Sequence, residues 1–400
     1  MLEKVTPAPP DAILGLTEAF RKDPRADKIN LSVGVYLDDH GQVPLLDTVA
    51  EAESRLAAQR GSKTYLPIPG SADYGKSVRE LLFGADHEAV VSNRTAFAQT
   101  PGGTGALRVA ADLVHALFPA ATVWVSDPTW PNHNGVFGSA GLEVKSYPYF
   151  DPQANSLRFD DLLAAIDAMP AGDVILLHGC CHNPTGIDPT PEQWEQIAAR
   201  VRNRGLLPLL DFAYQGFAEG LHEDAVGLRA LATEGAEFLV CSSFSKNFSL
   251  YRERVGALCV AGPTADAAEA VQSQVNRVVR SNYSNPPSHG AAVVDCILRD
   301  ETLRGQWEQE VAQMRGRIAS MRSALVDALV QRNVPGDYSF IKRQRGMFSF
   351  SGLTPEQVDA LREQYGIYIV RSGRINVAGL TSANVERVAD AVSEVVGQPV

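Results

Sequence analysis

The sequence predicts an α/β fold: a large domain with a mostly parallel sheet covered by helices, plus a smaller α+β domain. Three observations lead there. Short apolar, β-branched runs recur along the chain, helical patterns separate many of them, and the last part of the chain changes character. Alternating strands and helices imply a sheet covered on both faces, with ligands beyond the carboxyl ends of its strands.

Taken in order, the Pro-rich first ten residues, with Pro7, Pro9 and Pro10, suit an extended arm. Thr104–Leu117 reads as a helix with Leu107, Ala110, Ala111, Val114 and Leu117 on one face. Val123–Val125, Val174–His178, Leu206–Leu210 and Phe238–Cys241 read as buried strands. Pro191–Arg202 reads as a helix, with Thr190 as its cap and Pro191 in the first turn. Later, helices around Glu308–Gln331 and Thr354–Tyr365 flank short strands at Met347–Phe350, Tyr368–Val370 and Ile375–Val377. These form the smaller domain.

Composition narrows the function. The chain has 400 residues, 45% of them hydrophobic and 21% charged, with a net charge of -11 and no cationic cluster. Nucleic acid is thereby disfavoured as a partner, because phosphate binding needs grouped cations. No apolar run reaches the length of a membrane span, and the first residues lack a signal peptide's apolar segment. The five cysteines are odd in number and form no CxxC pair. A reducing cytoplasm is expected.

Four motifs carry chemistry. Lys246 sits in the hydroxyl-rich turn Ser242-Ser243-Phe244-Ser245-Lys246, and Arg254 follows eight residues later. A lysine amine becomes nucleophilic when burial and neighbouring cations hold it neutral, and two serines and an arginine suit a phosphate ester. Thr100-Pro101-Gly102-Gly103-Thr104-Gly105 opens a helix, where backbone N–H groups can approach a phosphate. It is neither a Walker loop nor a dinucleotide fingerprint. His178-Gly179-Cys180-Cys181-His182-Asn183-Pro184-Thr185-Gly186 lacks zinc-ligand spacing, so no metal is expected. It reads as a turn presenting the Asn183 amide. Asp211 ends the apolar run before Tyr214; it either caps a helix or meets a cation such as a protonated pyridine nitrogen.

Together these residues resemble the fold-type-I, class I pyridoxal-phosphate aminotransferases, specifically the bacterial aspartate and aromatic amino-acid group. The resemblance runs from Asn30–Tyr36 through Gln99–Leu107, Val125–His133, His182–Gly186, Asp211–Gly216 and Ser243–Lys246 to Arg280–Pro287 and Ser372–Arg374. It implies transamination between an L-aromatic or dicarboxylic amino acid and 2-oxoglutarate. The cofactor would be pyridoxal 5'-phosphate on a Lys246 Schiff base. It also implies residues 1–11 as an arm, 12–43 with 314–400 as the small domain, and 44–313 as the large domain. Asp211, oriented by His133, would meet the pyridinium nitrogen. Asn183 and Tyr214 would donate to the phenolic oxygen, and Trp130 would pack over the ring. Gly103, Thr104, Ser243, Ser245 and Arg254 would hold the phosphate, joined by Tyr65 of a neighbouring subunit. Arg374, with Asn183 and the Gly34 backbone, would take the α-carboxylate. Arg280, from the other subunit of a homodimer, would take a side-chain carboxylate.

Aspartate-preferring relatives carry a lysine at the place of Leu37, a threonine at that of Val43 and an asparagine at that of Thr64. The less polar residues here imply a lean toward aromatic substrates, with Val35 and Asn285 keeping the aspartate pattern. An aspartate-preferring enzyme and a non-catalytic cofactor-binding sensor are the alternatives.

Overall fold

A computed structural model describes residues 1–7 and 14–397. Of the expected arm, Pro9, Pro10 and Asp11 lie outside the described residues; before them, Leu2–Lys4 forms one exposed 3₁₀ turn. The chain divides into two compact units, Pro44–Gly316 and Met1–Val43 with Arg317–Val400.

The larger unit is built on a seven-stranded sheet. Its strands are β1 (Thr95–Pro101), β2 (Thr122–Asp127), β3 (Glu143–Pro148), β4 (Val174–His178), β5 (Leu207–Phe212), β6 (Phe238–Ser243) and β7 (Val255–Ala261). The order is β1-β7-β6-β5-β4-β2-β3, and β7 alone runs antiparallel to its neighbours. Every residue of β4 and β7 is buried, as expected of strands covered on both faces. The helices used below are α1 (Asp47–Gln59), α2 (Gly102–Leu117), α3 (Pro191–Arg204), α4 (Ala265–Asn282) and α5 (Glu301–Gln331). Ala106, Leu107, Ala110 and Val114 of α2 join Val123, Leu176, Leu209, Leu239 and Leu258 in one apolar core. The parallel strands therefore deliver Asp127, His178, Asp211 and Ser243 to one edge of the sheet.

Several elements extend beyond the sequence reading. Helix α2 begins at Gly102 rather than Thr104, with Pro101 before its first turn. Helix α5 begins at Glu301 rather than near Glu308. Strands β1, β3 and β7 are additions. Edge strand β3 is mostly solvent-facing, so little apolar pattern marks it, while β7 follows Arg254 with no intervening turn signal.

In the smaller unit, Ile29–Asn30 pairs parallel with Ile367–Tyr368, and Phe348–Phe350 pairs antiparallel with Arg374–Asn376. Val377, read as strand, instead opens a 3₁₀ turn, Val377–Gly379. Helix Pro355–Tyr365 starts from Thr354 with a complete capping box.

Candidate active site

Lys246 follows β6 and is half-buried, its Nζ 4.9 Å from the centroid of the Tyr214 ring. Burial lowers its pKa from 10.5 to about 8; Asp211 opposes that shift and Arg254 adds to it. An amine of this kind is available as a nucleophile near neutral pH. The Asn183 Nδ2 donates to the Tyr214 hydroxyl at 3.5 Å, both residues being buried. Hydrogen-bond donors therefore converge beside the amine.

Asp211 stands at the C-terminal end of β5, in register with His178 of β4 and Cys241 of β6. Its side chain is 11% exposed. Burial pushes its carboxyl upward, but the His133 hydrogen bond, with the electrostatic influence of His133, His178 and Lys246, more than reverses this. The group ends below its ordinary value. An ionised carboxylate at this depth suits a cationic partner such as a protonated ring nitrogen.

His133 Nε2 lies 3.1 Å from Asp211 Oδ2, and Thr129 Oγ1 lies 2.8 Å from His133 Nδ1 and 3.1 Å from His178 Nε2. Directionality follows from the carboxylate, which only accepts. With the single ring proton of His133 on Nε2, that nitrogen donates to Asp211, the Thr129 hydroxyl donates to His133 Nδ1, and His178 Nε2–H donates to Thr129. Burial holds His178 near 3, so it stays neutral. Its ring lies 4.1 Å from that of His182, which burial also drives well below its ordinary value. Ser126 Oγ donates to Pro128 O, so it accepts from His182 Nε2; Thr185 Oγ1 then donates to His182 Nδ1. His133 behind Asp211 is what the resemblance implies; Thr129, His178, His182 and Ser126 have no role in that expectation. The one local signal is the closeness of Thr129 to His133 in sequence, just before the helix Asn132–Ser139 begins. Trp130 packs edge-on against His133, with ring centroids 5.3 Å apart.

A second cluster suits an anion. No side chain caps the first turn of α2, so its N–H groups are free for a ligand. Ser243 Oγ donates to Ser245 Oγ at 3.2 Å, and Arg254 Nη1 donates to Ser245 Oγ at 3.3 Å. A Cβ on Gly102 would stand 2.4 Å from Arg254 Nη2, and one on Gly103 would stand 2.8 Å from Ser243 Cβ. The missing side chains thus let the helix start, two serines and an arginine share one cradle. Thr104 lies in the same turn. These residues fit a phosphate ester, and with Lys246 and Asp211 they fit pyridoxal phosphate.

Tyr65 and Arg280 form a separate group in the larger unit. Tyr65 is 88% exposed. Arg280, also exposed, sits in the last turn of α4 and donates to Ser284 Oγ. Gly34 and Arg374 belong to the smaller unit and share Phe348. Arg374 Cζ lies 4.4 Å from the Phe348 ring centroid, and a Cβ on Gly34 would stand 2.8 Å from Phe348 Cζ. Arg374 Nη2 donates to Ser32 O at 2.6 Å.

The ligand atoms of Cys180, Cys181 and Asp224 lie within 4.8 Å of one another. Asp224 already accepts from the backbone N–H groups of Gly216, Ala218, Glu219 and Gly220. Burial pushes the Cys180 thiol well up. Loop stapling accounts for this carboxylate.

Residues 26–392 match the family described as aminotransferase class I and II. The chain is 52% identical over 392 residues to the aspartate aminotransferase of Escherichia coli (strain K12), covering 98% of this chain and 99% of that protein. It is 50% identical over 396 residues to the aromatic-amino-acid aminotransferase of the same organism, covering 99% and 100%. Among solved structures, it resembles the aromatic-amino-acid aminotransferase from Burkholderia pseudomallei covalently bound to pyridoxal phosphate. There the TM-score is 0.97 and the identity 48%, with 99% of each chain covered.

Proposed function

The chain belongs to the class I and II aminotransferase family, and from that premise we propose that it transfers amino groups between L-aromatic or dicarboxylic amino acids and 2-oxoglutarate, with Lys246 carrying the cofactor. Pyridoxal phosphate, when bound, supplies an aldehyde that takes up the amino group and a ring that draws electron density from the substrate's Cα. The observation that carries this reading is a half-buried amine lowered to about 8 beside a deeply placed carboxylate held below its ordinary pKa.

The tasks then divide among the residues. Lys246 Nζ holds the cofactor and, once displaced by substrate, moves the proton from Cα. Asp211, oriented by His133, holds the proton on the ring nitrogen. Asn183 and Tyr214 donate to the phenolic oxygen, and Trp130 packs over the ring. The N–H groups of Gly103 and Thr104, with Ser243, Ser245 and Arg254, hold the phosphate. Arg374 forks onto the substrate's α-carboxylate, assisted by Asn183 and the Gly34 backbone. In a homodimer with shared sites, Tyr65 and Arg280 serve the neighbouring subunit, the first at the phosphate and the second at a distal carboxylate. The exposure of Tyr65 and Arg280 in the single chain supports that assignment. Five free thiols support a cytoplasmic setting.

Aromatic donors are favoured, because Leu37, Val43 and Thr64 remove polarity that an aromatic ring would have to desolvate. Burial of a ring contributes up to about 3 kcal/mol. Borohydride treatment of the cofactor-loaded protein, followed by peptide mapping, tests the anchor; labelling of a lysine other than Lys246 would sink it. A panel of donors with 2-oxoglutarate tests the preference. Good turnover of Asp with no measurable rate for Phe, Tyr or Trp would replace it with a plain aspartate aminotransferase.

A further inference from the structure

Arg280 does not project freely into solvent. Its Nη1 donates to Ser284 Oγ, four residues on and just beyond the end of α4. A serine hydroxyl has one proton, and here it is donated to Asn285 Oδ1 at 3.0 Å. Asn285 Nδ2 then donates to the Leu66 carbonyl at 2.7 Å. The chain of donors therefore runs in one direction, from the Arg280 guanidinium to the backbone beside Tyr65. Ser284 adopts φ 69°, a left-handed conformation that side-chain-bearing residues rarely take. Its N–H is tied to Val279 O at 3.0 Å, so the last turn of α4 fixes the strained residue in place. That geometry puts the hydroxyl within reach of the guanidinium on the helix's own last turn.

We propose that Ser284 is a specificity-determining residue: its hydroxyl is the resting acceptor for Arg280, in competition with the distal carboxylate of a dicarboxylic substrate. This rests on the assignment of Arg280 to that carboxylate. An aromatic side chain brings no acceptor, and an unpaired guanidinium beside it is costly. Arg280 held on Ser284 leaves the ring uncontested. An incoming carboxylate must first displace that contact, which weakens dicarboxylate binding, whereas an aromatic ring leaves it in place. Ser284 thus sets the balance between the two substrate classes without touching either.

The test uses cofactor-loaded enzyme in single half-reactions with L-Asp or L-Phe and no oxo acid, followed by loss of cofactor absorbance. Ser284→Gly removes the hydroxyl, and glycine accepts the left-handed backbone without strain. Ser284→Asn supplies a new acceptor and also tolerates that conformation. In Ser284→Gly the Asp-to-Phe ratio of apparent second-order constants should rise about tenfold, mainly through tighter Asp saturation. Ser284→Asn should return the ratio toward the wild-type value. A ratio within twofold of wild type in Ser284→Gly overturns the proposal, as does a rise that Ser284→Asn fails to reverse, which would assign the effect to the backbone. Arg280→Ala separates the two levels of the argument. If it abolishes Asp reactivity while Ser284→Gly leaves the ratio unmoved, only the resting contact falls. If it leaves Asp reactivity intact, the assignment of Arg280 falls and the proposal with it.

Discussion

Lys246 is held by opposed influences, and their balance has a measurable pH signature. The folded, cofactor-free chain releases this proton near pH 8, whereas an ordinary lysine does so near 10.5. Between those values the unfolded chain keeps a proton that the folded chain has lost, so this group makes stability rise with pH across that window. The amine-labelling rate of Lys246 in cofactor-free protein should accordingly reach half its plateau near pH 8; a midpoint above 10 would refute the depressed value. His178 acts at the other end. Its proton binds near pH 3 in the fold and near 6.5 when unfolded, so stability is lost as pH falls through that interval. Asp211→Ala should lower kcat on the order of a thousandfold with the fold intact, read by steady-state rates and circular dichroism. Near-normal turnover would remove Asp211 from the chemistry. Asp211 and Lys246 were legible as reactive groups at or just beyond the end of an apolar run, and Asn183 as the amide of the Asn-Pro-Thr-Gly turn after another. The contacts among Thr129, His178 and His182 were not, since Thr129 follows β2 while His178 ends β4 and His182 lies in the loop after it, and only the pairing of those two strands brings them together.

At the scale of elements, close approach decides function. The start of α2 reaches Ser243 and Arg254 only because Gly102 and Gly103 lack side chains. Gly103→Ala should therefore weaken pyridoxal phosphate binding by about tenfold or more, since relieving such overpacking costs roughly 1–3 kcal/mol. Unchanged affinity by equilibrium titration would show that the cradle can yield. Helix α1 begins with no capping side chain of its own, and Glu310 of α5 accepts from Asp47 N at 2.7 Å and from the Thr48 hydroxyl. Glu310→Ala should lower stability by about 1 kcal/mol in urea denaturation, the ordinary worth of a helix cap, with little effect on kcat. Helix α3 was legible at its N-terminus, where Thr190 and Gln193 sit three residues apart and bond reciprocally, but it runs to Arg204, two residues past the expected end, with Gly205 as its C-cap. No local signal marks the Glu310 cap, whose partners lie 263 residues apart. Strand β7 was hidden for a related reason: its antiparallel place between β1 and β6 is a matter of long-range pairing.

For the whole molecule, the exposure of Tyr65 and Arg280 leads to a mixing experiment. A Lys246→Ala chain and an Arg280→Ala chain, each poorly active toward Asp, should regain activity once subunits exchange, because one site in the mixed dimer is whole. Absence of recovery after verified exchange would argue against shared sites. The cysteines bear on another property. Cys180, Cys181, Cys241 and Cys259 are buried and Cys296 is half-buried, all of them free. A thiol reagent in water can reach the first four only when the core opens. The chain therefore carries its own clock for unfolding: in a native sample the colour of an aromatic disulfide reagent should develop at no more than about one thiol per chain at first. The remaining release should follow the rate at which the sheet comes apart, so cofactor loading, by slowing that event, should slow the colour.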